Sequence, residues 1–191
     1  MNIGLFFGSF NPVHTGHLII ANHILNESDL EKVWFIVSPQ NPLKNSNSLL
    51  TDTNRLQLVR LATENDNRLR ASDIEFHLPR PSFTIDTMIY LEEKFPDHHF
   101  NIIMGGDSFS NIKKWKNYKK LLKSYPVIVY NRPGADYPGD IPGQITFLYA
   151  PLLEISATYI RELINKKKSI RYLVPESVRE EIEIRRFYLK D

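Results

Sequence analysis

The chain has 191 residues, of which 42% are hydrophobic and 12% aromatic, and its formal net charge is +2. This composition supports a continuous apolar core and predicts a single domain spanning residues 1–191. The absence of cysteine excludes disulfides, thiolate zinc sites and a cysteine nucleophile. No window approaches the roughly 18 apolar residues of a membrane span, and the N-terminus lacks a basic leader, so we expect a cytoplasmic protein without a membrane partner. The small net charge does not favour nucleic acid as a partner. The basic clusters at 111–123 and 165–171 are either solvated helix faces or a positive field for a nucleotide.

Short apolar runs alternate with longer segments of helical periodicity. In the first half of the chain, these patterns predict strands at 2–7, 32–38 and 69–76 and helices at 15–26 and 84–95. They also predict a loop at 39–52, followed by a helix that Asp52 or Thr53 caps. The second half predicts a strand at 100–106, a basic helical stretch from Asp107 to Tyr125, strands at 127–131 and 145–149, and C-terminal helices near 156–168, 170–173 and 175–189. Pro175 suits the first turn of the last helix.

This alternation of strands and helices is typical of the α/β class. It predicts a doubly wound, Rossmann-like parallel sheet with helices on both faces, joined by right-handed crossovers. Ligands of such folds bind at the carboxyl ends of the strands, where the strand order reverses. We expect the C-terminal helical segment, from about residue 156, to pack against the same crevice.

The segment GSFNPVHTGHL, at residues 8–18, lies where the first strand gives way to the first helix. Gly8 permits a sharp turn, Pro12 stiffens it, and Gly16 lets a bound group approach the backbone. The first turn of a helix presents free N–H groups and the positive end of the helix dipole, which attract anions. His14 and His17 are three residues apart and share a helical face, so both imidazoles can hydrogen-bond and neutralise one phosphate.

Two other roles for these histidines are open. A metal site needs at least three protein ligands, but His23 lies too far around the helix and the chain has no cysteine, so we predict no protein-bound metal. A purely structural role is the second alternative. Paired histidines with two glycines and a proline at a strand-to-helix junction are nevertheless not a typical core pattern.

Two later segments place polar residues at the starts of helices. In GGDSF, Asp107 follows a buried strand and either caps the next helix or hydrogen-bonds sugar hydroxyls. In ISATYIRE, Ser156 or Thr158 either caps a helix or offers its hydroxyl to phosphates. Arg161 lies one turn further along. Because a cation near a helix start opposes the helix dipole, its position favours an anionic ligand.

Residues 8–17 resemble the G-x-F-x-P-x-H-x-G-H motif of the HxGH nucleotidyltransferase superfamily. Within it, PSFTIDT (81–87), IIMGGDSF (102–109) followed by Trp115, and ISATYIRE (155–162) resemble bacterial nicotinate-nucleotide adenylyltransferases, in the same order along nearly the whole chain. The resemblance implies adenylyl transfer from ATP to nicotinate mononucleotide, giving deamido-NAD and pyrophosphate in NAD biosynthesis. It also implies ATP and this mononucleotide as partners, with Mg²⁺ delivered by the ATP.

The resemblance further implies roles for individual residues. The implied catalytic residues are His14, His17 and Arg161. The implied ATP-binding residues are Gly8, Ser9, Phe10, Gly16, Gly105, Asp107, Ile155, Ser156 and Thr158. The implied contacts to nicotinate mononucleotide are Lys44, Thr84, Trp115 and Arg132, with the Trp115 indole stacked on the pyridine ring. The chain departs from many relatives in having Asn11 for Asp and Phe83 for Tyr, and its loop at 39–44 is shorter and lacks the usual histidine.

Other functions stay open at this stage. The nearest is another enzyme of the superfamily, using nicotinamide mononucleotide, phosphopantetheine or a cytidylyl donor. The PSFT segment, Trp115 and the S-x-T-x-x-R spacing argue against the last two, but they do not distinguish acid from amide, because a carboxylate site built from backbone N–H groups has no side-chain signature. A non-catalytic nucleotide-binding module and a tRNA-binding protein are further alternatives, and the short chain and low charge argue against the latter. A homo-oligomer is compatible with the sequence.

Overall fold

The computed structural model describes residues 1–39, 49–130, 141–149, 151 and 154–189. Within these ranges the strands are β1 (Asn2–Gly8), β2 (Lys32–Val37), β3 (Leu69–Ser72), β4 (His99–Gly105), β5 (Val127–Tyr130) and β6 (Ile145–Leu148). The α-helices are α1 (Thr15–Asn26), α2 (Asp52–Thr63), α3 (Thr84–Lys94), α4 (Gly106–Ser110), α5 (Tyr118–Ser124), α6 (Ala157–Asn165) and α7 (Glu176–Ile184). Short 3-10 helices span Ile74–His77 and Ile112–Lys114.

The strands form one six-stranded sheet in the order β3-β2-β1-β4-β5-β6, and every neighbouring pair is parallel. This arrangement confirms the predicted doubly wound α/β fold. The chain winds outward on one side through β2 and β3, then returns to the centre and continues through β4 to β6. The strand order therefore reverses between β1 and β4, and their carboxyl ends frame the crevice where such folds bind ligands.

Alternating side chains of the central strands supply two apolar layers, one on each face of the sheet. Ile3 and Leu5 pack with α3 and α5 on one face, whereas Phe6 packs with α1, α2, α6 and α7 on the other. Both layers are needed because a parallel sheet buries both faces under helices. The C-terminal segment contacts the motif loop, since the Thr15 N–H donates to the carbonyl of Leu173 at 2.9 Å.

Two predicted elements are wrong in extent. The predicted strand at 69–76 ends at Ser72, and the chain turns into the 3-10 helix Ile74–His77, which buries Glu75. The predicted helical stretch 107–125 is divided into α4, a 3-10 helix and α5, because the chain breaks around Trp115 and Asn117 takes a left-handed conformation with φ 52°. A residue at each break, Glu75 at the first and Trp115 at the second, lines the cavity at this edge of the sheet.

Three smaller predictions at helix ends also need correction. The cap of α2 is Thr51, whose Oγ1 accepts from the Asn54 N–H at 3.4 Å, and not Asp52 or Thr53. Pro175 occupies the cap position of α7 and not its first turn, and this helix ends at Ile184, before the predicted end at 189. The segment 170–173 is not helical, since Arg171 pairs with Val174 in an isolated bridge. No helix among the described residues is long and apolar enough to cross a membrane.

Candidate active site

The two histidines of the opening motif lie at the N-terminus of α1. His14 is the extended cap residue, with φ −146° and ψ 167°, and His17 is in the first turn. Their rings stack with centroids 3.7 Å apart and an interplanar angle of 29°. The His14 backbone N–H donates to His17 Nδ1 at 3.2 Å. The three-residue spacing thus brings both imidazoles together at the carboxyl end of β1, as expected from the sequence.

Burial controls the charge of this pair. Desolvation lowers the pKa of His14 to about 4, and desolvation together with repulsion from His14 holds the pKa of His17 well below its usual range. Both rings are therefore neutral near pH 7 in the free protein. Because His17 Nδ1 accepts a hydrogen bond, the proton of the neutral ring belongs on Nε2. The neutral pair thus offers hydrogen-bond donors to an anion. To neutralise the charge of a phosphate, as expected from the sequence, an imidazole must take up a proton when the ligand binds.

Gly16 and Phe10 hold the histidines in place. A Cβ on Gly16 would lie 3.1 Å from His14 Nδ1, so glycine leaves room for the imidazole itself. Phe10 has φ 47°, and its buried ring stands edge-on to His17 with centroids 5.1 Å apart. Both were predicted to contact ATP. In the structure the Phe10 side chain faces the core and supports His17.

Arg161 reaches from α6 back to the motif. Ser156 caps α6 by accepting from the Tyr159 N–H at 3.2 Å, so the capping interpretation holds for this residue. Arg161 Nη1 donates to the Asn11 carbonyl at 2.7 Å, and Nη2 donates to Thr158 Oγ1 at 3.2 Å. A guanidinium has five N–H donors, so these two bonds position the group while others can meet a phosphate.

Ile155, just before this cap, lies beside α1. It is half-buried, and its Cβ is 4.0 Å from the position that a Cβ on Gly16 would occupy. The start of α6 and the first turn of α1 therefore face each other across the histidines.

A buried arginine, Arg55, anchors the same loops, although no sequence motif includes it. Its side chain is 1% exposed and donates to four backbone carbonyls. Nη1 reaches Ser9 at 2.6 Å and Ser38 at 2.8 Å, Nε reaches Leu50 at 3.0 Å, and Nη2 reaches Pro39 at 2.9 Å. Arg55 thereby ties the chain leaving β1 to the chain leaving β2. The signal available in the sequence was an arginine directly beside the apolar stripe of α2.

A cavity of about 660 Å³ opens beside the carboxyl ends of β1 and β4. Its walls include six of the predicted contact residues, namely Gly8, Ser9, Thr84, Gly105, Asp107 and Trp115. Phe6 also lines the cavity, and its ring lies edge-on to His17, with centroids 5.9 Å apart. The cavity and the histidine pair are therefore neighbouring parts of one crevice.

Several wall residues differ from their expected local settings. Asp107 is exposed in the first turn of α4, and Gly105 takes the cap position that was one alternative for Asp107. A Cβ on Gly105 would lie 3.1 Å from the Tyr130 ring. Trp115 ends a 3-10 helix, is half-buried and packs partly against the core, so it is not an exposed helical residue.

A buried carboxylate, Glu75, underlies the wall formed by Ser82 and Thr84. Glu75 is 3% exposed and accepts from Ser82 Oγ at 3.1 Å and Thr87 Oγ1 at 2.8 Å. Burial raises its pKa, and hydrogen bonds from Thr87, Ser38 and Ser82 oppose that shift. The predicted strand at 69–76 included Glu75 without a role in the site, because its partners are distant along the chain: Ser82 and Thr87 lie 7 and 12 residues later, and Ser38 lies just after β2.

Two predicted contacts to nicotinate mononucleotide, Lys44 and Arg132, lie outside the described residues. Within the described part of the chain, no three histidine, aspartate or glutamate side chains converge as a metal site.

The chain is similar to curated bacterial proteins along its whole length. A probable nicotinate-nucleotide adenylyltransferase of Cytophaga hutchinsonii is 49% identical over 189 residues, which cover 98% of each chain. Another, of Flavobacterium psychrophilum, is 47% identical over 196 aligned positions that cover 100% of each chain. The chain belongs to the nicotinate-nucleotide adenylyltransferase family.

This family lies within a broader group, since residues 5–163 match the family described as cytidylyltransferase-like. The fold of this family member also resembles that of Plasmodium falciparum nicotinic acid mononucleotide adenylyltransferase complexed with NaAD. The TM-score is 0.81 over 98% of this chain and 97% of the other, at 20% identity. At that identity the likeness supports the fold alone. The fold and the family together make the protein a nucleotidyltransferase.

Proposed function

We propose that the protein catalyses the reaction for which its relatives are named, with the histidine crevice as the active site. The phosphate of nicotinate mononucleotide attacks the α-phosphorus of ATP. An oxygen–phosphorus bond forms, the bond from the α-phosphorus to the bridging oxygen breaks, and pyrophosphate leaves with that oxygen. The products are deamido-NAD and pyrophosphate. The observation that carries the proposal is the stacked His14–His17 pair beside a cavity walled by Thr84 and Trp115.

The triphosphate is assigned to the N-terminus of α1. There His17 donates through Nε2, and His14 supplies a second ring whose Nδ1 has no hydrogen-bond partner in the described part of the chain. The helix dipole adds a positive potential at the same place. Arg161, held against the motif loop, supplies the permanent positive charge. Charge that develops on the leaving phosphates is stabilised by donors that are already in position.

The acceptor is assigned to the cavity. Trp115 offers a flat face to the pyridine ring, and Thr84 lies at the start of α3 beside it. Lys44 and Arg132 are proposed to hold the acceptor phosphate. An attacking phosphate is already largely ionised near neutral pH, so the reaction needs no strong general base. Catalysis then rests on alignment of the two substrates and on charge stabilisation.

Mg²⁺ is proposed to enter as part of the ATP substrate. Magnesium is commonly held by substrate phosphates and water with few protein carboxylates. Asp107, exposed on the cavity wall, is the carboxylate placed to contact the nucleotide, either through its ribose hydroxyls or through water on the metal.

The test is pyrophosphate release from ATP and Mg²⁺, measured in parallel with nicotinate and nicotinamide mononucleotides. We expect release that depends on the acceptor and is faster with the nicotinate compound. His17→Ala should lower kcat by about 100- to 1000-fold, the range for loss of one preorganised donor. His23→Ala is the matched control, because His23 lies in the last turn of the same helix. ATP binding without pyrophosphate release would contradict the proposal and favour a nucleotide-binding module.

A further inference from the structure

The two candidate acceptors differ by one charge, because nicotinate carries a carboxylate where nicotinamide carries a neutral amide. A cationic side chain near the ring can distinguish them. Among the described residues that line the cavity, two are cationic, Lys114 and Lys116. Lys114 Nζ donates to Asn111 Oδ1 at 2.9 Å on its own short segment. Lys116 instead reaches across to the opposite wall.

The Lys116 ammonium lies over the Phe83 ring, with Nζ 4.6 Å from the ring centroid. Phe83 is the cap residue of α3 and directly precedes Thr84. Nζ also donates to Asp86 Oδ2 at 2.8 Å in the first turn of that helix. Lys116 directly follows Trp115 in the chain. The ammonium therefore joins the two segments assigned to the pyridine ring.

We propose that Lys116 is the residue that makes the cavity prefer a carboxylate to an amide on the pyridine ring. The inference rests on the proposed function, since it assigns the ring to the wall formed by Phe83, Thr84 and Trp115. An ammonium has three N–H donors, so Lys116 can keep Asp86 and also meet a ligand carboxylate. Bound mononucleotide displaces water from the cavity and so strengthens this attraction.

The ion pair with Asp86 does not cancel the positive charge that Lys116 presents to a ligand carboxylate. Both side chains are more than two-fifths exposed, at 43% and 44%, so water weakens their mutual attraction. Asp86 orients the ammonium from the side of α3 and leaves its other donors for a ligand. Removing the charge of Asp86 should therefore strengthen the preference for the carboxylate, whereas removing the charge of Lys116 should abolish it.

The experiment measures kcat/KM and the equilibrium dissociation constant separately for nicotinate and nicotinamide mononucleotides. In Lys116→Gln, the nicotinate-to-nicotinamide ratio should fall about 10- to 100-fold, the range of one charge-assisted hydrogen bond, mainly through KM. Lys116→Arg should restore most of the ratio, and Asp86→Asn should raise it. Lys113→Gln is the matched control, because Lys113 is exposed on the adjacent 3-10 helix and does not line the cavity.

The outcomes separate this inference from the proposed function. An equal loss for both mononucleotides in Lys116→Gln would assign the residue a structural role and overturn the inference while leaving the function intact. An unchanged ratio would overturn it as well. Failure of the unmodified protein to bind either mononucleotide would overturn the proposed function and the inference together. A nicotinate-to-nicotinamide ratio that falls in Lys116→Gln and returns in Lys116→Arg supports both the inference and the proposed function.

Discussion

The buried state of His14 predicts a specific loss of stability in acid. Its pKa falls from 6.5 to about 4 on folding, a difference of roughly 2.5 units or about 3 kcal/mol against protonation. The folded pKa is the lower one, so the unfolded chain binds the proton more tightly. This contribution to stability is present above pH 6.5 and is lost progressively as the pH falls toward about 4.

Urea unfolding of the unmodified protein and of His14→Gln measures this loss, because the titrating groups other than His17, whose pKa His14 also lowers, are common to both proteins and cancel in the difference. Between about pH 7 and pH 4, the unmodified protein should lose about 3 kcal/mol more than the variant. Imidazole ¹⁵N shifts should show His14 neutral at pH 7. Parallel stability curves, or a charged His14 at pH 7, would refute the reasoning.

The same burial predicts proton uptake when ATP binds. Triphosphate oxygens favour the charged imidazole, so bound ATP should raise the pKa of His14 toward its ordinary range. Calorimetry of ATP binding in buffers of different ionisation enthalpy would detect the uptake. The signal should be absent in a variant that lacks both histidines.

Three further predictions follow from the buried and aromatic residues of the crevice. Arg55→Met leaves four carbonyls without their donor, so the free energy of unfolding, measured by urea titration, should fall by about 3 kcal/mol or more. Arg60→Met is the control and should change it little, because Arg60 is exposed on the same helix. The folded pKa of Glu75 is raised, so its ionisation removes stability from the unmodified protein as the pH rises through that pKa. The thermal midpoint of Glu75→Gln should therefore increase relative to that of the unmodified protein as the pH rises. A difference between the two midpoints that is constant with pH would contradict this prediction. Trp115→Ala should raise KM for nicotinate mononucleotide about tenfold without a matching change in KM for ATP, as judged by steady-state pyrophosphate release.

Local sequence patterns were sufficient to predict the parallel sheet and the geometry of the motif at residues 8–18. Apolar runs such as 2–7 and 100–106 are short and continuous, which marks strands buried on both faces, and intervening helices then require parallel pairing. The motif at 8–18 combines turn-forming residues with histidines three apart, so the helix start and the shared face followed from spacing alone.

The errors arose where distant residues decide the local structure. Glu75 leaves the strand pattern because its carboxylate is held by Ser82 and Thr87 on the following loop and helix. The helical stretch at 107–125 has suitable residues throughout, but it breaks where Trp115 turns inward to pack against the core. Helix propensity is a weak preference, and tertiary contacts overrode it here.

The sequence by itself determined the parallel sheet and the two imidazoles that share a helical face after the first strand, because each follows from the pattern of neighbouring residues. The strand order, and with it the place where the order reverses, belongs to the folded sheet. Only the tertiary structure decided that the imidazoles are neutral, that Arg161 reaches Asn11 from 150 residues away, and that Arg55 joins two loops from inside the core. Desolvation and long-range hydrogen bonds depend on what the folded chain packs around a group. No local spacing of residues specifies that environment.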